Sequence, residues 1–374
     1  DRFIYGIDLS FNNYRQLDKK REISEDDYRY IVEKLIYLAE NEPSVIEKIP
    51  IISLFFIEEM ENKLKKWNNE KILNNSNKWP KIIEDFFISL SKIWAGAPGY
   101  SYIFLGEHVV PIFIDEVIKF NKNKIDKKDV LRLIQPKEST EMTKLIRKLE
   151  SIAKFKNSDF NKKDLKVKIK NLEKQYGYLG RYYFWGNGYK EKDLYEWIAS
   201  IKKEKKEKKG KPVKINKVKL NPKMKVLCSG LQKYSLMSNR ADEITNKAIE
   251  ILHPIFKGIA SKFNIDYEYI ANMRVLELLK SLKENKLVVS KEELERRTKD
   301  HLFWYNKGNI ILDTGDIYRK EIELKKEFTN DGIKSFTGQN ASVVKNIKGL
   351  VKIINTTKDI SKLNTNIFVI DHHE

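Results

Sequence analysis

Five histidines, one cysteine and a few acidic pairs are the residues of this chain whose types could do chemistry. The densest group is Asp371-His372-His373-Glu374. Imidazoles and carboxylates are metal ligands and proton carriers, so the cluster could hold an ion or a reactive histidine. Adjacent residues on a strand point to opposite faces, however, so His372 and His373 converge poorly on one ion. His108 and His253 sit in apolar helical runs with no partner base beside them, and read as structural histidines. Cys228 is the single cysteine, which excludes an intrachain disulfide and a cysteine-based metal site and fits a reducing, cytoplasmic setting. Glu58-Glu59 and Glu293 with Glu295 lie on charged faces of amphipathic helices and read as solvated surface rather than acid–base pairs. The sequence carries no Gly-x-x-x-x-Gly-Lys phosphate loop, no His-Glu-x-x-His zinc helix and no Gly-x-Ser-x-Gly elbow. Read residue by residue, the chain offers no complete active site: no catalytic residue and no metal site is assigned.

The formal net charge of +19 raises a polyanion as partner, nucleic acid first. The excess is overwhelmingly lysine. A dedicated nucleic-acid binder would use more arginine, which forks onto phosphates and bases, so compositional drift explains the charge better. The run "KKEKKEKKGKPVK" reads as a solvated helix end and linker. As a phosphate-binding arm it lacks interleaved aromatics for base stacking. With 41% hydrophobic and 11% aromatic residues the composition is globular, and no apolar run reaches the length of a membrane span.

The elements that would position these residues are mostly helices. "SEDDYRYIVEKLIYLAEN" opens on a Ser cap and acids, and Pro43 starts a second helix that Pro50 should kink or divide. Asn-rich "NNEKILNNSNKW" reads as a loop, and Pro80 sits at the start of the next helix. Helical periods continue through "IFLGEHVVPIFIDEVIKF", "DKKDVLRLI", "STEMTKLIRKLESIAKF", residues 164–176 and "KDLYEWIASI". The longest runs from Asn221, with Pro254 as a possible bend, followed by "MRVLELLKSL" and a Ser-capped "SKEELERRTKDHL". Near His301 the period changes. "LFWYNKGNIILDTGD" reads as a β-hairpin, and "GLVKIIN" and "NIFVID" read as strands. The fold class expected is therefore mainly α: a large irregular helical domain followed by a small, partial β-containing unit.

Several of these stretches, in the same order, resemble the phosphoenolpyruvate-utilising enzymes of the phosphoenolpyruvate synthase (pyruvate, water dikinase) type. They are "LEKQYGYLGRYYFWGNGYKEKDLYEWI", "LQKYSLMSNRADEITNKAIEILHPIFKGIASKFNID", "VLELLKSL" and "ELERRTKDHLFWYNKGNIILDTGD". Beyond them, Gly338, Ala341, Ser342 and Gly349, followed by "LVKII", are similar to the entrance of that family's swivelling phosphohistidine domain. Val343-Val344 stands where the family carries Pro-Gly, and Thr365-Asn366 where it carries Gly-Asp. The family's phosphorylated histidine lies in a Thr-Ser-His context that neither His372 nor His373 shares, so that role is not carried to them.

The resemblance implies a domain plan: 1–160, helical and of unassigned role; 161–300, a helical linker and docking region; 301–336, the hairpin and a charged connector; 337–374, an incomplete swivelling domain. A β unit begun and left short, like a lone hairpin, is marginal in water. The chain is accordingly expected to be a fragment, or a degenerate relative, of a phosphotransferase that moves phosphate from ATP through histidine to an acceptor. It would have no turnover and no cofactor of its own. ATP and Mg would belong to the parent, and the partners would be the parent's ATP-grasp domain and the rest of the swivelling domain. The rival expectation is a non-enzymatic, lysine-rich helical module that binds nucleic acid or another polyanion.

Overall fold

The computed structural model describes residues 13–17, 20–96, 105–154, 162–181, 187–207, 218–299, 301–306, 309–315, 318–320, 323, 351–354 and 367–370. They fall into two units, one built from Glu25–Thr298 and one from residues 13–24 together with those from Lys299 onward. The chain is mainly α. The first unit holds α1 (Glu25–Asn41), α2 (Pro43–Trp67), the short α3 (Glu70–Leu73), α4 (Trp79–Gly96), α5 (Val110–Phe120), α6 (Lys127–Leu133), α7 (Glu141–Lys154), α8 (Lys162–Tyr176), α9 (Glu191–Glu207), α10 (Pro222–Phe263), α11 (Tyr267–Ala271), α12 (Val275–Glu284) and α13 (Lys291–Lys299).

Local chemistry sets many of these boundaries. Pro43 opens α2, where its missing N–H costs nothing. Asp126 and Asp129 close a reciprocal capping box on α6. Asn221 caps α10 by accepting the Met224 N–H at 2.8 Å, and Asn264 ends it in the left-handed region at φ 50°. Ser290 Oγ accepts the Glu293 N–H at 3.1 Å at the start of α13. Two expectations change. The Asn-rich stretch contains α3 and a 3₁₀ turn at Ser76–Lys78, each started by an Asn side chain that accepts a backbone N–H two residues on. Of the kink or division expected at Pro50, division does not occur, since α2 runs on past it as one helix. The lost hydrogen bond is outweighed by burial of Ile46, Ile49 and Ile57 along the same face. A π-helical turn, Leu105–Val109, precedes α5. Pro111 cannot donate to the carbonyl one turn back, which favours a widened turn there.

α10 and α2 lie side by side and run in the same direction. Glu47 meets Ser229 and Lys233, and further along Glu61 meets Arg240. Gly230 permits the approach: a Cβ there would stand 3.1 Å from the Glu47 backbone nitrogen. Around this pair α4, α12 and α13 complete the main core, centred on Met60, Phe86, Ile249, Leu252 and Phe256. A second, smaller core joins α7, α8 and α9 through Leu145, Leu149, Ile169, Tyr176 and Leu194. Arg297, buried on α13, donates to Glu277 on α12 at 2.8 Å, to Glu293 at 2.9 Å and to the Asn272 carbonyl at 3.3 Å. Burial raises the Glu277 carboxyl, but the Arg297 guanidinium and the Arg274 N–H and charge outweigh it and hold it below its ordinary value.

The second unit contains a four-stranded antiparallel sheet. β1 (Asn13–Leu17), β2 (Lys20–Ile23), β3 (Leu302–Asn306) and β4 (Asn309–Asp313) lie in the order β2-β1-β3-β4. The hairpin expected near His301 is present as β3 and β4, but it is not alone. Periodicity marks no strand before residue 300, yet β1 pairs with β3 from Asn13 opposite Asn306 to Leu17 opposite Leu302. β5 (Val351–Ile354) and β6 (Ile367–Ile370) form a separate parallel pair on the two late stretches read as strands.

Two stability changes follow. Gly258 lies against the Trp79 ring, whose Nε1 is anchored to the Leu73 carbonyl at 2.8 Å, so an added Cβ would overlap the ring. Gly258→Ala is expected to lower stability by about 1–3 kcal/mol in urea unfolding. Arg297→Ala strands two carboxylates and is expected to lose about 3 kcal/mol near neutral pH. Because the Glu277 carboxyl is depressed, its contribution is present above its ordinary value near 4.5 and is lost as the pH falls below it. The gap between wild type and Arg297→Ala should therefore narrow in acid, which urea midpoints measured across that range will check.

Candidate functional site

A cleft of about 530 Å³ in the first unit brings together more polar and charged side chains than any single sequence motif does. Three structural pieces build it. The C-terminal half of α2 supplies Glu61 and Lys65, the middle of α10 supplies Arg240, Glu243 and Lys247, and the segment leading into α7 supplies Glu138, Ser139 and Thr140. Tyr178, from the 3₁₀ turn Gly177–Gly180 that ends α8, closes one side.

Glu243 organises this place. Its carboxylate accepts the N–H of Glu141 at 3.0 Å and of Met142 at 2.8 Å, two of the donors that the first turn of α7 leaves without helical partners. The negative charge also opposes the positive end of the α7 dipole. Thr140 Oγ1 adds a local cap by accepting the Thr143 N–H at 3.2 Å. Burial pushes the Glu243 carboxyl above its ordinary range, and its hydrogen bonds to the α7 backbone and Thr140 only partly offset this. The Tyr178 hydroxyl is pushed up as well, by burial first and then by Glu141 and Glu243.

Some other charges lining the cleft are paired: Arg240 of α10 holds Glu61 of α2 at 3.1 Å, and within α7 Lys144 holds Glu141 at 2.5 Å. Such a site can bind a small charged molecule by exchanging these partners.

The histidines of unit one have defined contacts. His253 Nδ1 lies 3.1 Å from the Tyr267 hydroxyl, with the rings edge to face. Burial, then the charges of Arg181 and Lys257, lower its pKa and favour neutral imidazole. Arg181 is itself paired with Glu250. His108, in the π-helical turn, meets the Tyr28 hydroxyl through Nε2 at 2.8 Å. Cys228 is buried, its thiol is pushed up by burial, and it points to the Leu133 carbonyl at 3.6 Å. Glu293 binds Arg296 and Arg297, so it is part of an internal ion network and not only solvated surface.

Gly338, Ala341, Ser342 and Gly349 lie outside the described residues, as do Asp371, His372, His373 and Glu374. Among the described residues, no group of three or more His, Cys, Asp or Glu side chains could hold a metal ion. Sequence reasoning passed over Glu243. Its signal was an acid set among Ala241, Ile244, Thr245, Ala248 and Ile249, in a helix too apolar around its circumference to be a surface helix. Comparison with protein-family models, with curated proteins and with solved structures finds no match for this chain.

Removing the carboxylate tests the role given to it. Glu243→Ala is expected to cost about 2 kcal/mol, since two helix N–H groups lose a charged acceptor. Hydrogen exchange should quicken first at the Glu141 and Met142 amides. Unchanged exchange there would show that α7 does not depend on Glu243.

Proposed function

We propose that this chain serves as the helical spacer and docking body, with the hinge, of a phosphotransferase resembling phosphoenolpyruvate synthase. The single observation that carries it is the succession of elements along the chain. A mainly helical body reaches Lys299, the β3–β4 hairpin follows, and the parallel pair β5–β6 falls on "VKII" and "IFVI", within the stretches that bear the resemblance. A parallel pair needs a crossover connection and so belongs to a larger α/β or layered unit rather than a simple hairpin.

On this proposal the chemistry is phosphoryl transfer from ATP to a histidine nitrogen and on to an acceptor. ATP and Mg are held by the parent's ATP-grasp domain, and the described residues of this chain contribute positioning. The glycine at 338 would supply the backbone freedom a swivelling domain needs at its root. Among the described residues no helix is long and apolar enough to cross a membrane, and a cytoplasmic setting is part of the proposal.

The test is labelling. Protein expressed from the complete open reading frame is incubated with γ- or β-labelled ATP and Mg, then assayed for acid-labile, alkali-stable phosphate. Label on a histidine is expected from the complete frame, and none from residues 1–374 alone. A complete frame that encodes no ATP-grasp domain and takes up no such label would overturn the phosphotransferase proposal.

A further inference from the structure

Two lysines that line the cleft are without the acids their own helices offer them. Glu61 and Lys65 on α2 stand four residues apart, as do Glu243 and Lys247 on α10. In both cases the acid is on the N-terminal side, the order in which such pairs hold best. Each acid is engaged elsewhere. Glu61 meets Arg240 at 3.1 Å, and Glu243 accepts the Glu141 and Met142 amides at the start of α7. By contrast Glu59 and Lys63, two residues earlier on α2, do meet, at 3.7 Å. Among the described residues Lys65 donates only to Asn62, at 3.3 Å, and Lys247 has no acid partner. Both lysines are exposed, so a ligand can reach them. Half-buried Tyr178 adds a hydroxyl that has no hydrogen-bond partner among the described residues.

We infer that the cleft binds a small phosphomonoester that carries hydroxyl groups, with its phosphate on Lys65 and Lys247. The inference does not rest on the phosphotransferase proposal: binding is reversible and no phosphoryl group moves. The donors select the anion. Two ammonium groups and a phenol are single-point donors, and the three terminal oxygens of a phosphomonoester can accept from them in different directions. A planar carboxylate is matched best by a guanidinium fork, and Arg240 already holds such a group in Glu61. A phosphate dianion carries more charge than Glu61 and competes with it for Arg240. The volume, about 530 Å³, is that of a small-molecule site and far more than a bare phosphate fills. Glu138, on the same lining, has no cationic partner among the described residues. It can accept from ligand hydroxyls and repels an anion that has none, which favours the hydroxylated ester over free phosphate.

The test is calorimetric titration of the 374-residue chain with ribose 5-phosphate, inorganic phosphate, ribose and malate, at about pH 8, where the phosphomonoester is a dianion. Ribose 5-phosphate should bind, inorganic phosphate more weakly, and ribose and malate not measurably. Lys65→Gln combined with Lys247→Gln should weaken binding of ribose 5-phosphate by roughly tenfold or more, with an unchanged circular dichroism spectrum. Glu61→Gln frees Arg240 and should tighten it by roughly threefold or more. The control, Lys283→Gln combined with Lys286→Gln, changes exposed lysines outside the cleft and should leave affinity within about twofold. Equal losses in the two double variants would overturn the inference in favour of diffuse charge. So would absence of heat with ribose 5-phosphate, or an affinity that does not rise in Glu61→Gln. Malate binding as tightly as ribose 5-phosphate would make the ligand a carboxylate and overturn it too.

Discussion

The helical body rests on one constraint: a 42-residue helix, α10, that must be covered along most of its length. At about 1.5 Å per residue it is roughly 63 Å long, about twice the width of a small domain. Its buried residues run from Met224 to Ala260 and occupy more than one face, so a single partner cannot shield it. α2 covers one side by running beside it, which the absence of a side chain at Gly230 permits. At one polar meeting of the two helices Glu47 accepts from Ser229 at 2.7 Å and from Lys233 at 2.9 Å, whereas the Ser53 hydroxyl of α2 and the Tyr234 hydroxyl of α10 are buried with no hydrogen-bond partner among the described residues. The Lys233 hydrogen bond, then that of Ser229, holds the Glu47 carboxyl below its ordinary range. α4 covers a second side, and the α7–α9 group takes a third through Glu243 and the Leu179 carbonyl, which Asn246 meets at 3.4 Å.

The cleft is a consequence of that covering. Where α2 ends and the 3₁₀ turn Gly177–Gly180 begins, α10 has no apolar neighbour broad enough to close over it, and the opening is lined with charge. Glu243 is costly there because its carboxyl is partly desolvated, yet it replaces water for two helix donors that would otherwise be buried without acceptors. The raised pKa and the satisfied N–H groups are two sides of the same placement. A ligand entering the cleft would compete with pairs already made, such as Arg240 with Glu61, rather than fill unsatisfied positions.

Helices were legible in the sequence because their signals are local. Asp126, Asn221, Ser290 and Pro43 announce their own boundaries within a few residues. The same locality explains the errors. Pro50 predicts a kink or a break from backbone chemistry alone, while the continuity that rules out the break is set by the neighbours of α2. Strands β1 and β2 were invisible because "NYRQL" and "KREI" carry little strand preference; β1 takes its place by pairing with a hairpin nearly three hundred residues away. That pairing also removes the difficulty of a lone hairpin at Leu302–Asp313. The cleft was illegible for the same reason, since Glu61, Glu141, Tyr178 and Glu243 share no motif and meet only when three helices are assembled.

Charge divides the same way. A net +19 is a bulk quantity and does not say where the excess resides. In the structure, several helices dispose of lysine locally by setting an acid one turn away, a few tenths of a kcal/mol per pair, which offsets the repulsion of so basic a chain. α8 carries several exposed lysines on its surface while burying Ile169, Leu172 and Tyr176 well. Its stability must therefore come from Ile169, Leu172 and Tyr176 in the small core, not from its own surface. A helix held from behind in this way tolerates a lysine-rich surface without unravelling. The lysines of α8 fall on several faces, the exposed Lys166, Lys168 and Lys174 among them, as compositional drift would place them.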